Sequence, residues 1–283
     1  MVAEKTSFNW EISAEHRWLR MPVAEIASHK DLLIRLVRRD FLAAYQQTIL
    51  GPLWIFLQPL LVTLTYVAVF KSVIGISTDN IPSPLFYLLG IILWNYFSES
   101  LLNISTTYTS YAHIFNKVYF PRIIAALSYL LANGIRLCIQ LLLFLLLFCV
   151  FLFTKGDISP GMGILLVPVC LLLLSGMSLG MGLICASLTA KYRDIQNLLS
   201  FLLRILLFIS PVIYPLSIVP GKFKPLLLIN PLTPVIEFCR YAFLGSGYHN
   251  FIYLGYSAVF TIGILLAGII FFNRRDGRIM DVI

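Results

Sequence analysis

The feature that most limits this chain is a series of apolar stretches with little or no charge. Each approaches or exceeds the roughly 20 residues that an α-helix needs to cross the hydrocarbon of a bilayer. They cover residues 53–71, 84–108, 123–153, 164–190, 195–214 and 251–272. Hydrophobic residues make up 59% of the 283 and charged residues only 12%, and the mean hydropathy is +0.88. A soluble domain carries about 25% charge, and one water-facing core has no room for so much apolar surface. The pattern predicts an all-α integral membrane protein with six transmembrane helices.

The net charge of +8 points to a membrane rather than to nucleic acid. The basic residues lie between apolar runs instead of clustering on one face. With the N-terminus inside, Lys5, Arg17, Arg20, Lys30, Arg35, Arg38, Arg39, Lys117, Arg122, Lys191, Arg193, Arg274, Arg275 and Arg278 fall on the inner side. The outer side holds only Lys155, Lys222, Lys224 and Arg240, with Lys71 at a boundary. This asymmetry places both termini in the cytosol and requires an even number of spans. No cleavable signal is expected, because the first 50 residues lack an early apolar core. The five cysteines form no C-x-x-C pair, and Cys138, Cys149, Cys170 and Cys185 sit in apolar runs, where a thiol behaves as a small hydrophobe.

Catalytic signatures are missing from the sequence. It has no G-x-x-x-x-G-K-[ST] loop, no H-E-x-x-H and no D-x-D, and its four histidines are dispersed. An intramembrane catalyst needs ionisable groups converging on a pocket. The expectation is a non-enzymatic chain without catalytic, cofactor or metal sites. If energy is consumed, another chain must bind the nucleotide.

Residues 1–22 read as a cytosolic arm and 23–50 as an amphipathic helix. Ile26, Leu33, Val37, Phe41 and Ala44 recur at roughly helical spacing, with Lys30, Arg35, Arg38 and Arg39 on nearby faces. Such a helix lies in the membrane interface with its cations near anionic headgroups, or else packs, solvated, on a partner. Gly51-Pro52 then turns the chain into the membrane, with Trp54 at headgroup level. Gln58, Thr65, Tyr66 and Phe70 give the first span polarity and rings. The inner loops "YAHIFNKVYFPRI" and "TAKYRDIQN" carry Lys, Arg and aromatic residues suited either to docking a cytosolic partner or to ordinary anchoring.

The second span carries a stripe of Asn95, Glu99, Asn103 and Thr107 at four-residue spacing, all on one side of a helix. A carboxylate inside a span is costly unless paired or hydrated. Glu99 lies about 13 Å by helical rise from the inner end of its span, and Arg204 lies at matching depth in the fifth. The expectation is a Glu99–Arg204 ion pair, with Arg136 on the stripe Asn133, Arg136, Gln140 as a competitor. The alternative is a Glu99 that faces water in a pore.

Residues 215–250 do not fit the pattern. The stretch "LLLINPLTPVIEFCRYAFLG" is nearly as apolar as a span, but prolines interrupt it, and Glu237 and Arg240 sit inside it. Prolines 211, 215, 220, 225, 231 and 234 forbid long helices there. Two short helices are expected, the second capped by Thr233 with Pro234 at its first position and ended by Gly245 or Gly247. This predicts a re-entrant or surface hairpin that could serve as an outer lid, or else a plain structured loop.

The runs "RRDFLAAYQQTILGPLWIFLQPLL", "NKVYFPR", "AKYRDI", "ISPVIYP" and "INPLTPVIEFCR", in this order, resemble the membrane subunit of type-2 ABC exporters of polysaccharides such as O-antigen, capsule and teichoic acid. The likeness spans residues 23–283. It implies a homodimer in the bacterial cytoplasmic membrane, flanked by two cytosolic ATPase subunits that bind ATP and magnesium, moving a lipid-linked polysaccharide among membrane lipids. By this resemblance residues 23–47 touch the ATPase through Arg35, Arg38 and Arg39. The region of Asn116, Lys117 and Tyr119 forms the coupling helix, with Arg193 and Asp194 in the second docking loop. Residues 216–229 and 234–244 form outer gate helices, and Pro231, Thr233, Pro234, Glu237 and Arg240 belong to that gate. Trp54, Gln58, Tyr66, Phe70, Asn95 and Asn103 line the polymer path. Competing readings are a type-2 exporter of a drug or other lipid, an integral-membrane transferase, and an ATP-independent scramblase.

Overall fold

The computed structural model describes residues 23–79, 81–115, 117–118, 120–155 and 161–279. The N-terminal arm, Asn116 and Tyr119 lie outside the described residues. Twelve α-helices are described, and no strand occurs among the described residues. The expected helix over 23–47 is two helices, α1 (Val23–Ser28) and α2 (Lys30–Ala43), interrupted at His29. The dihedrals of His29 are non-helical, φ −103° and ψ 22°, although its amide still donates to the Glu25 carbonyl at 3.1 Å.

Gly51, at φ 52°, makes the turn into the membrane, and Pro52 occupies the first helical turn that follows. The backbone then runs through a short 3₁₀ turn into α3 (Trp54–Tyr66) and a π-helical end over Val67–Val73. After α3 come α4 (Ser83–Ser105) and two single turns, α5 (Thr107–Ser110) and α6 (Ala112–Phe115). The long α7 (Ile123–Lys155) and α8 (Val167–Thr189) follow. The last four helices are α9 (Asp194–Ile209), α10 (Lys224–Ile229), α11 (Leu232–Leu244) and α12 (Phe251–Ile279).

Five helical segments are long and apolar enough to cross a bilayer: Gly51–Val73, Ser83–Ser105, Ile123–Thr154, Gly163–Thr189 and Phe251–Arg274. The stretch expected to be the fifth span, 195–214, is helical only to Ile209. Ser210 is extended ahead of Pro211, since a residue before proline is driven out of the α region. The 16 residues of α9 rise about 24 Å, less than the roughly 30 Å of hydrocarbon.

Burial shows which helix is central. In α4, 78% of the span is buried inside the protein, against 17% in both the first span and α7. Leu85, Phe86, Leu88, Leu89, Ile92 and Phe97 of α4 are essentially inaccessible. The bundle is therefore built around α4, with α3, α7, α8, α9 and α11 packed on it.

Lipid offers no hydrophobic drive between helices, so close approach depends on small residues. On α8, Gly176 and Gly180 lie one turn apart and face α12. A Cβ built on Gly180 would sit 2.7 Å from the backbone of Ile264, and one on Gly176 would sit 2.6 Å from Thr261 Cγ2. Gly182, on the other side of α8, receives Ile104 of α4 in the same way, at 2.7 Å. The glycine-rich span is thus a contact helix on two sides.

Gly180→Ala is expected to push α12 away at a cost of about 1–3 kcal/mol. Thermal unfolding in detergent should show a lowered midpoint. Gly134→Ala, where an added Cβ meets nothing within 4 Å, should leave the midpoint unchanged or slightly raised.

Candidate functional site: a buried re-entrant helix and a polar seam

The proline-rich segment does form short helices: a 3₁₀ turn at Leu216–Ile218, then α10 and α11. Gly245 ends α11 in the left-handed conformation at φ 73°. The start of α11 differs from expectation. The helix begins at Leu232, so Thr233 and Pro234 are its second and third residues. The Thr233 hydroxyl is buried without a hydrogen-bond partner. Asn230 does the capping instead: its Oδ1 accepts from the Leu232 amide at 3.1 Å, and its Nδ2 donates to Ser210 Oγ at 2.9 Å. Pro231 presents its carbonyl to Ser257 Oγ of α12 at 2.8 Å.

Nearly all of α11 is buried, and Glu237 and Arg240 are only 1% and 0% exposed. It is a short helix buried inside the bundle, not a flap on its surface. The two charges lie one turn apart, with Arg240 Nη1 donating to Glu237 Oε1 at 2.7 Å. Arg240 Nη1 also donates to the Pro211 carbonyl, and Nη2 donates to the Val212 carbonyl at 2.7 Å. Glu237 Oε2 accepts the Tyr248 amide at 3.1 Å. The guanidinium lies 3.7 Å from the centroid of the Phe86 ring. Gly90 leaves the space for it, since a Cβ there would come within 2.8 Å of Nη2. Arg240 thereby satisfies the carbonyls that follow the end of α9, where no helical donor is left.

This segment is tied to the α3–α4 loop, at the end of the bundle opposite α2. Ser217 donates to the Asp79 carboxylate at 2.7 Å, and Ser246 donates to the Asp79 carbonyl at 3.3 Å.

Between α4 and α7 runs a polar seam made of the two stripes. Glu99 Oε2 accepts from Arg136 Nη1 at 3.4 Å, so the competitor is the partner and the Glu99–Arg204 pair does not form. Arg204 lies on the exposed face of α9, without an ion-pair partner among the described residues. Matching depth was a one-dimensional criterion. Which face of each helix meets which neighbour decided the pairing. Asn133 joins the seam: Arg136 Nη1 donates to its Oδ1 at 3.2 Å, and its Nδ2 donates to Ser100 Oγ at 3.3 Å. Asn103 Nδ2 approaches the same Oδ1 at 3.5 Å. Tyr45, just past α2, has its ring 5.4 Å from the Arg136 guanidinium.

Gln140, the third member of the α7 stripe, reaches α3. Its Nε2 donates to the Ile55 carbonyl at 3.3 Å. That carbonyl is the one Pro59 cannot serve, because proline has no N–H to return to position i−4. The side chain of one helix therefore replaces a bond missing inside another.

The residues assigned to a polymer path do not converge within one chain. Trp54 and Gln58 are exposed on α3, while Asn103 belongs to the seam and Asn95 is half-buried on α4. Tyr66 and Phe70 pack on Tyr87 with ring centroids 6.0 and 6.4 Å away. Of the docking residues, Arg35, Arg38 and Arg39 are exposed on α2, Lys117 beyond α6, and Arg193 and Asp194 at the start of α9. Asp40, Tyr111 and Ser128 gave no sequence signal, because each is a single polar residue without a repeating partner. They form a buried hydrogen-bonded group beneath α2.

A bundle of long apolar helices, with a buried short helix and a polar seam between them, defines a multi-pass helical membrane protein. The chain belongs to the ABC-2 type transporter family, whose profile matches residues 31–244. It is similar to an O-antigen export system permease protein, RfbA, of Klebsiella pneumoniae, at 27% identity over 89% of this chain and 95% of that protein. An RfbA protein of Myxococcus xanthus is 31% identical over 76% of this chain and 80% of its own length. The polysialic acid transport protein KpsM of Escherichia coli is 25% identical over 85% of this chain and 92% of its own.

Two outcomes are expected from these contacts. Arg240→Ala leaves Glu237 buried without its cation and is expected to cost about 3–5 kcal/mol, read as loss of the folded fraction in detergent. Gln140→Leu orphans the Ile55 carbonyl and is expected to cost about 1–3 kcal/mol. In a Pro59→Ala background residue 59 again donates to that carbonyl. The Gln140→Leu penalty should then largely vanish in a double-mutant cycle.

Proposed function

We propose that this chain is the membrane subunit of an ATP-driven exporter that moves a lipid-linked polysaccharide across the bacterial cytoplasmic membrane. The observation that carries this reading is the match to two O-antigen export permeases and a polysialic acid transport protein, each over at least three quarters of this chain. Family membership supports a separate ATPase partner, and the sequence has no phosphate-binding loop of its own.

In this reading two copies form the translocation unit, with two ATPase subunits on the cytosolic side. The chain crosses six times. The crossing added to the five long apolar spans, fifth in chain order, is α9 together with residues 210–214, whose Pro211 and Val212 carbonyls Arg240 supports. Both termini are cytosolic, in keeping with the excess of Lys and Arg in the flanks assigned to that side. The basic helix α2 and the segment around Lys117 meet the ATPase, with Arg193 and Asp194 as a second contact. Arg38 and Arg39 attract the pyrophosphate of the carrier lipid. The exposed Trp54 and Gln58 face the polymer path, which the second copy completes. The buried Glu237–Arg240 helix is the fixed part of the outer gate, and the 216–229 stretch is its covering part.

Deletion of the gene in the bacterium that makes the chain should remove one surface polysaccharide and leave lipid-linked polymer inside the cell. A plasmid copy should restore export. An unchanged surface glycan profile would overturn the proposal, and altered drug or lipid efflux in its place would support the competing exporter reading.

A further inference from the structure

Beneath α2 lies a small core separate from the one around α4. Leu36 of α2 packs on Tyr111, Phe120, Ile124 and Ala125, with Ile26, Leu33 and Phe115 at its edge. It joins α1, α2, the α5–α6 turns and the start of α7.

At its margin sits one carboxylate. The side chain of Asp40 is 7% exposed although it lies on an otherwise largely exposed helix. Its Oδ2 accepts from the Tyr111 hydroxyl and from Ser128 Oγ, the latter at 2.8 Å. Its Oδ1 accepts from Arg39 Nη2 at 2.7 Å and Arg39 Nε at 3.1 Å. Ser128 Oγ also lies 2.7 Å from the Tyr111 oxygen and 2.8 Å from the Ala125 carbonyl, so its one proton serves one of these acceptors at a time. The Arg39 guanidinium caps the group, 4.3 Å from the centre of the Tyr111 ring. Burial first, and the neighbouring carboxylate next, raise the pKa of the Tyr111 hydroxyl above its ordinary value, so it stays a donor at any physiological pH.

Three parts of the chain that are distant in sequence thus meet on one acceptor: α2 through Asp40, the turns between α4 and α7 through Tyr111, and α7 itself through Ser128. Apolar packing alone lets helices slide. A carboxylate that accepts several charge-assisted or hydroxyl bonds at once fixes both distance and rotation. Separation also carries a penalty, because parting the elements strips Oδ2 of its Tyr111 and Ser128 partners and leaves the carboxylate only Arg39 of its own helix.

We propose that Asp40 is a positioning residue that makes α2 and the 107–115 turns one rigid body on α7, so that a push on either is delivered to α7. This rests on the exporter reading above, in which both elements face the ATPase. Asp40 touches neither nucleotide nor polymer in this role, and it acts through Tyr111 and Ser128.

The test uses the full chain co-expressed with its ATPase in a strain lacking the native gene. The wild-type chain is measured first. If it neither assembles with the ATPase nor restores surface polysaccharide, the exporter reading fails, independently of Asp40. Asp40→Ala is then expected to reach the membrane and co-purify with the ATPase, with ATP turnover within about twofold of wild type. Export should fall about tenfold, within the usual range of coupling energies. Asp40→Asn, which keeps one acceptor, should fall between the two.

The deciding variant carries Asp40→Cys and Ser128→Cys in a chain whose five native cysteines are replaced. A short bifunctional thiol reagent should restore export by replacing the hydrogen bonds with a covalent tether. Wild-type export by Asp40→Ala and Asp40→Asn would overturn the proposal. So would a tethered chain that stays inactive, since the elements would then have to separate during the cycle. If Asp40→Ala fails to accumulate, Asp40→Asn and Ser128→Ala are read in its place. Parallel loss of ATP turnover and export in both would mark a merely structural role and overturn the assignment.

Discussion

Arg240 holds the carbonyls of Pro211 and Val212 where α9 has ended and water is absent, since Val212 is wholly buried. Backbone that leaves the helix at membrane depth must find donors inside the protein. Only arginine carries enough donors, in a fixed fork, to serve two carbonyls and a carboxylate together. Glu237 neutralises its charge and spends its second oxygen on the Tyr248 amide, which fixes the chain leaving α11. Gly90 of the central helix makes room. Four separate parts of the sequence, around residues 90, 211, 237 and 248, are thereby set around one guanidinium. Without it, neither the early stop of α9 nor the burial of α11 would be stable.

The same rule governs the other polar residues of the bundle. Pro59 removes a donor from α3, and Gln140 of α7 supplies one to the Ile55 carbonyl left behind. Glu99 cannot stand alone in a span, and Arg136 shares its Nη1 between that carboxylate and Asn133. Gln140 and Arg136 thus occur where a helix break or an isolated charge requires a donor. Glycines provide the contact where nothing polar is needed, as between α8 and α12.

Much of the architecture is legible from hydropathy, because a bilayer imposes one length scale on every crossing. The turns at Gly51 and Gly245 are legible too, since both residues sit in conformations that glycine favours. The stripes Asn95–Glu99–Asn103 and Asn133–Arg136–Gln140 identify the faces that meet. Pairing is harder to read. Depth along a helix can be counted from its end, but the angle at which α7 or α9 presents its arginine to α4 depends on packing by the whole bundle. Arg204 was therefore matched by depth to a carboxylate that faces elsewhere. The cap of α11 fell to Asn230 rather than Thr233, because Asn230 is anchored by Ser210, a contact 20 residues away. Asp40 gives no periodic signal at all, and only the fold shows that it is buried.

α7 runs through both cores. α7 has 33 residues, about 50 Å of continuous helix. Near its start Ser128 is bonded to Asp40 beneath α2. Midway, Arg136 and Gln140 grip α4 and α3. Further on, Phe144 and Phe148 lie against Phe243 of α11, with ring centroids 5.2 and 6.5 Å apart. From Ser128 to Phe144 is about 24 Å along the axis. No proline interrupts α7, and a helix without one bends only gently. α7 is thus one continuous helix that touches the Asp40 group, α4, α3 and α11 in turn. The buried ion pair resists deformation of α11 itself, so the compliant part at that end is the less buried stretch before it, residues 217–226, held to the α3–α4 loop by Ser217 and Asp79. The contrast between the buried α11 and the largely exposed 217–226 stretch lies at the end of the bundle opposite α2.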